Sequence, residues 1–156
     1  MDLKSIRDTE LLSTKSEFAQ WVLRSGIVKA SQELKSTLSK NISKNFYSGV
    51  SQSKGFYAEQ QVIKLLTKNN WNLVFQRLKT RIAEIDLILE KPDKILLVEV
   101  KTLNDNWRAG QRLSPKQIEK LKANRVALSF YPKKIKVEAY VAWVHKNNVI
   151  TFCSID

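Results

Sequence analysis

Two apolar runs joined by a short turn constrain this chain more than any other feature of it. Ala83 to Glu90 and Ile95 to Lys101 flank Lys91-Pro92-Asp93-Lys94. Pro and Asp pre-set the backbone of a turn, and short runs rich in Ile, Leu and Val make strands, so the segment predicts an antiparallel hairpin. Apolar residues fall at both parities: Ile85, Leu87, Ile88 and Leu89, then Ile95, Leu96, Leu97, Val98 and Val100. A strand that is apolar on both faces is a central strand, covered above and below.

The remaining segments supply the cover. Phe18, Ala19, Trp21, Val22 and Leu23 follow a capping-box pattern at Thr14-Lys-Ser-Glu17, and Gly26 is placed to end that helix. Ala30, Leu34, Leu38, Ile42 and Phe46 form a second amphipathic stripe, and Ser48 to Ser53 then breaks the pattern. From Lys54 the order changes. Ala58, Val62, Leu65 and Leu66 mark a helical face, Trp71, Leu73 and Phe75 alternate as a strand, and the hairpin follows. Ser114-Pro115 with Gln117 opens another helix that runs towards Phe130 and stops by Pro132. Val137, Ala139, Val141 and Trp143 alternate as a fourth strand, and Val149 to Ile155 form a fifth after Asn147-Asn148. The expected organisation is therefore a helical N-terminal extension over 1–50 and a mixed α/β domain over 51–156, in the order αβββαββ.

The hairpin also carries charge where charge is costly. With the turn centred between Pro92 and Asp93, Asp86 falls opposite Glu99 and Glu84 opposite Lys101. Glu84, Asp86 and Ile88 are expected on one face, and Leu97, Glu99 and Lys101 share a face on the second strand. Opposed carboxylates repel within a sheet, so this pair calls for a cation, and a hard divalent ion with oxygen ligands would supply one. A plain salt-bridge ladder of Glu84, Glu99 and Lys101 is the competing reading. The apolar surroundings count against it, because buried charges require partners.

Gly55-x3-Glu59, Glu84-Ile-Asp86-Leu-Ile, Val98-Glu-Val-Lys101-Thr and the later Pro115-Lys116 helix start together resemble the YraN-like endonuclease family. That family is related to the archaeal Holliday junction resolvases, within the PD-(D/E)XK nucleases. The resemblance spans about Lys54 to Phe130 and implies a restriction-endonuclease-like αβββαβ core. It further implies that Asp86, Glu99 and the Val100 carbonyl hold magnesium, or manganese in its place, with Glu59 reaching the ion directly or through water. Lys101 would orient the attacking water and offset charge on the phosphate. Glu84 and Gln117 are candidates for supporting roles, although Gln117 equally fits as a capping residue. The family has Gly where this chain has Ala83, and a basic residue where it has Leu103.

Composition agrees with a polyanionic partner. The 27 Lys and Arg outnumber 15 Asp and Glu, for a formal charge of +12, which favours nucleic acid, and the resemblance implies DNA in preference to RNA. The excess is concentrated in residues 51–156, with nineteen basic against ten acidic side chains. Arg77, Lys79 and Arg81 precede the acidic strand, where a loop would grip phosphates, and Arg108 follows it beside Trp107. Lys116, Lys120 and Lys122 would track a phosphate backbone from a helix. One Cys and one His exclude a zinc site and an intramolecular disulfide. No organic cofactor, membrane segment or signal leader is expected, and the setting is cytoplasmic. Two other functions fit the same residues. One is a nuclease toxin module, acting on DNA or tRNA and held by an immunity protein. The other is a nucleic-acid-binding module without catalysis. The N-terminal helices would either pair two copies in a homodimer or cover the sheet.

Overall fold

A computed structural model describes residues 16–28, 50–103 and 113–156. Helix α1 (Glu17–Arg24) is followed by α2 (Val50–Lys68), β1 (Asn72–Lys79), β2 (Glu84–Lys91), β3 (Lys94–Leu103), α3 (Pro115–Leu128), β4 (Lys136–His145) and β5 (Ile150–Ser154). The five strands form one sheet in chain order. Its first three strands are antiparallel neighbours, β3 and β4 run parallel with α3 in the connection between them, and β5 returns antiparallel to β4. A parallel pair requires such a crossover, whereas antiparallel neighbours need only turns. From α2 onward this is the expected αβββαββ order and the α+β arrangement of a nuclease-like core.

Both faces of the sheet are covered, as the double-sided apolar hairpin requires. Ile85, Ile88, Ile95 and Leu97 pack with Phe18, Ala19 and Val22 of α1, Leu121 and Leu128 of α3, and Tyr131. Leu87, Leu89, Leu96 and Val98 pack instead with Ala58, Val62 and Leu66 of α2 and with Ala142 and Val144 of β4. Each large aliphatic side chain buried in this way contributes about 2 kcal/mol. Leu103 is buried with Val141 and Trp143, so the residue that departs from the family's basic position is a packing residue here. Leu65 and Leu73, expected inside, are partly exposed. A register shift between Leu73 and Phe75 turns Val74 inward in place of Leu73.

The helix ends follow local chemistry. Ser16, rather than Thr14, caps α1 by accepting a hydrogen bond from the Ala19 N–H, and its hydroxyl donates to Glu90 in β2 at 2.8 Å. Gly26 follows the helix at φ 79°, a left-handed conformation that glycine adopts without penalty. The Ser48–Ser53 break is shorter than its composition suggests: α2 begins at Val50, so Ser51, Gln52 and Ser53 belong to its first turns. These polar residues stay helical because the apolar face downstream anchors the helix. The reciprocal Ser114–Gln117 capping box forms and α3 ends at Leu128 with Ser129 as its cap, before Pro132 is reached. Thr14, the Ala30–Phe46 stripe, Trp107 and Arg108 lie outside the described residues.

Candidate active site

The hairpin pairs in the expected register from Lys91 opposite Lys94 to Leu87 opposite Val98, and there the β2–β3 ladder stops. Asp86 and Glu99 would form the next pair. Instead, the Asp86 side chain accepts a hydrogen bond from the Val100 N–H at 2.9 Å. A carboxylate oxygen thus takes a place that a strand carbonyl would otherwise fill. Because the ladder opens here, Glu84 never comes to face Lys101. Glu84 is exposed and pairs with Lys79 across the β1–β2 ladder, and the Lys101 ammonium lies 3.4 Å from Glu99.

The opening coincides with a kink in β1. Arg77 has φ 54°, a left-handed conformation that costs a non-glycine residue about 1 kcal/mol or more. Gln76 pairs with Leu87 and Leu78 with Ile85, which leaves Arg77 level with Asp86 and neither of them in the ladder. The faces of β2 reset at the same point: Ile85 packs with Ile88, and Leu87 with Leu89 on the other side. Strict alternation would have grouped Ile85 with Leu87. The kink also turns two consecutive side chains of β1 towards one target. Gln76 Nε2 donates to Glu59 at 2.9 Å, and Arg77 Nε lies 3.2 Å from each Glu59 oxygen. Glu59, only 6% exposed, is therefore a satisfied buried anion, held by Arg77 and Gln76.

Asp86 and Glu99 lie at the open end of the hairpin. Burial and the neighbouring Glu99 push the Asp86 carboxyl up to about 8, against the hydrogen bond from Val100. Burial also raises Glu99, opposed by the Lys101 ammonium beside it. The two carboxyls act on each other, each in the surroundings of the other's charge. Among the described residues no group of three Asp, Glu, His or Cys side chains gathers as a ready metal cage. The oxygens on offer are those of Asp86 and Glu99 and the backbone of Val100. A cleft of about 370 Å³ opens beside them, lined by Gly55, Ala58, Glu59, Val100, Lys101 and Thr102.

The expected phosphate-gripping residues divide. Arg77 is not in a loop: it lies within β1, ion-paired to Glu59. Lys79 ends the same strand and is exposed. Arg81 does sit in the turn, but its Nε donates to the Gly26 carbonyl at 2.7 Å and ties that turn to the segment after α1. Lys116, Lys120 and Lys122 are exposed on α3. At about 100° per residue, Lys116 and Lys120 share a side, while Lys122 stands roughly 200° from Lys120 and belongs to another. Gln117 is occupied in its capping box, where its Oε1 accepts from the Ser114 N–H. The buried pair Thr80 and Asn124 had no sequence signal. Thr80 donates to Asn124 at 2.7 Å, and Asn124 in turn donates to the Ala83 carbonyl, so α3 fixes the turn that leads into Glu84 and Asp86.

A mixed sheet that opens at an acidic pair, with a lysine two residues beyond the second acid, defines a nuclease-like α/β protein. The chain belongs to the family described as "Uncharacterised protein family UPF0102", whose model matches residues 58–150. This is the YraN family, with which the hairpin motifs were identified above. Among its curated relatives, a UPF0102 protein of Prochlorococcus marinus is 35% identical over 86 residues, covering 53% of this chain and 68% of the relative. One of Acinetobacter baylyi is 37% identical over 81 residues, covering 50% and 58%. One of Campylobacter jejuni subsp. doylei is 28% identical over 102 residues, covering 64% and 88%. Helix α1 and residues 50–57 of α2 precede the matched span. No helix among the described residues is long and apolar enough to cross a membrane.

Proposed function

We propose that this protein is a metal-dependent endonuclease that hydrolyses phosphodiester bonds in DNA. The observation that carries the reading is the Asp86–Glu99 pair at the open end of the hairpin, with Lys101 at 3.4 Å from Glu99. Two adjoining, partly buried carboxyls are unfavourable without a cation, and a hard divalent ion is the cation that oxygen donors select. Asp86, Glu99 and the Val100 carbonyl would hold magnesium, or manganese in its place. An octahedral ion that keeps several waters requires no third carboxylate, so the engagement of Glu59 by Arg77 is compatible with it. When bound, the ion supplies an activated water and neutralises charge on the phosphate.

The chain's own groups divide the remaining work. The Lys101 ammonium, fixed against Glu99, stabilises negative charge that develops on the phosphoryl oxygens and orients the attacking water. Arg77 spends its Nε on Glu59, and its terminal amino groups would receive a phosphate oxygen. Glu59 is then the residue that positions Arg77. Lys79, Lys116 and Lys120 provide exposed positive charge for the flanking backbone. DNA is favoured over RNA by the likeness to junction resolvases, and the cytoplasm is where such a substrate is met.

The test is a cleavage panel on supercoiled, linear and four-way-junction DNA, and on RNA, with and without magnesium. Cleavage of DNA that requires the metal and is lost in Asp86→Ala, Glu99→Ala and Lys101→Ala is the expected result. Cleavage that survives all three substitutions removes the assignment. Salt-sensitive DNA binding with no cleavage by the intact protein leaves the non-catalytic binding module.

A further inference from the structure

Gly55 has no evident reason to be glycine within the described protein. It is an interior residue of α2, well inside the Val50–Lys68 span, where glycine is the poorest choice short of proline. The three usual reasons for accepting that cost are absent. Its φ is not positive, unlike that of Gly26. It does not end the helix, which continues to Lys68. Nor does it allow close packing: among the described residues nothing lies within 4 Å of the place a Cβ would occupy. Gly55 is exposed, and it forms a wall of the cleft together with Ala58, Glu59, Val100, Lys101 and Thr102. Positions 55, 58 and 59 fall on one side of the helix, the side that meets the open end of the hairpin.

We infer that the surface at Gly55, open among the described residues, is the seat of the substrate strand. The sugar–phosphate backbone on one side of the cut lies against α2 at this residue, closer than any side chain would permit. The occupant is a nucleic acid backbone because the cleft is bounded by Lys101 and lies beside Arg77, in a chain of net charge +12. Close approach of a phosphate backbone to main chain is a recurrent use of glycine. This inference rests on the endonuclease reading for the cut, but not for the binding.

Gly55→Ala and Gly55→Leu test it in two measurements on the full chain. The first is thermal unfolding without DNA. With open space at this position, both substitutions improve helix propensity and raise Tm by about 2–4 °C. A fall in Tm means that protein, not substrate, fills the space, and overturns the inference. The second is binding of a junction and of a linear duplex, without magnesium, in an Asp86→Asn background that cannot cut. Affinity is expected to fall roughly tenfold with Ala and a hundredfold with Leu. Unchanged affinity in both variants overturns the seat while leaving cleavage by the wild type untouched. If the wild type cuts nothing but affinity still falls with side-chain size, the seat stands and the catalytic reading fails.

Discussion

The two ends of the β2–β3 hairpin are built from similar residues and behave differently. At the turn end the strands pair residue for residue from Leu87–Val98 to Lys91–Lys94, and Leu87, Ile88, Leu89, Ile95, Leu97 and Val98 are fully buried. At the other end the ladder is interrupted, Asp86 reaches the Val100 N–H, and two carboxyls share one space. The apolar residues of the turn end are buried, whereas Asp86, Glu99, Val100 and Lys101 at the other end are only partly so. The difference arises in the neighbouring strand, where left-handed Arg77 stands level with Asp86 and takes both out of pairing. The proposed site lies where the β2–β3 ladder stops.

Substitutions at the two ends should therefore move stability in opposite directions. Leu89→Ala at the turn end is expected to cost about 2–5 kcal/mol in urea unfolding through the cavity it leaves. Asp86→Asn at the open end should stabilise the metal-free protein near pH 8. The sign follows from linkage. A carboxyl held near 8 in the folded state, against 3.8 ordinarily, binds a proton that the unfolded chain has released. Wild-type stability thus declines as pH rises between those two values and levels off above the upper one, whereas Asn escapes the decline. The gap between the variants should widen with pH across that window and shrink when magnesium is added. A constant gap would mean that Asp86 is an ordinary, solvated acid.

A smaller effect isolates the kink. Arg77→Gly and Arg77→Ala both remove the guanidinium, but only glycine relieves the left-handed backbone, so the Gly variant should be about 1 kcal/mol the more stable. Equal unfolding midpoints would show that β1 straightens once the Glu59 contact is lost. The smallest effect is on binding. Lys116→Gln or Lys120→Gln should each reduce the slope of log affinity against log salt by about 0.9. Lys122→Gln, on another side of α3, should leave it unchanged.

What could be read from the residues alone follows the same division. The hairpin register was legible because a symmetric two-residue turn leaves one natural pairing, and the α3 start because a capping box is a local motif. The pairing of Glu84 with Lys101 was wrongly expected, since it assumed that the ladder runs on past Asp86. Nothing in Phe75-Gln76-Arg77-Leu78 announces a left-handed residue: Arg carries no preference for that conformation, and it is held there by Glu59, from a different element. For the same reason the contacts of Glu59 with Gln76 and Arg77 have no local sequence signal. Thr80 and Asn124, which fix the turn before the acidic strand, are 44 positions apart, beyond the reach of any local pattern.

The anchoring of α1 bears on how the molecule is assembled in time. Ser16 bonds Glu90, Glu17 pairs with Lys133, and Phe18 and Trp21 meet Tyr131 edge to face, so the first described helix docks on parts of the chain 74 to 116 positions later. Such distant closures are slow, because the intervening chain must be ordered before the contact is rewarded. The segment that leaves the ribosome early is therefore the one that must wait for the sheet. Until it docks, the apolar floor beneath Ile85, Ile88 and Leu97 stands open, and the nascent protein is most exposed to aggregation in that interval.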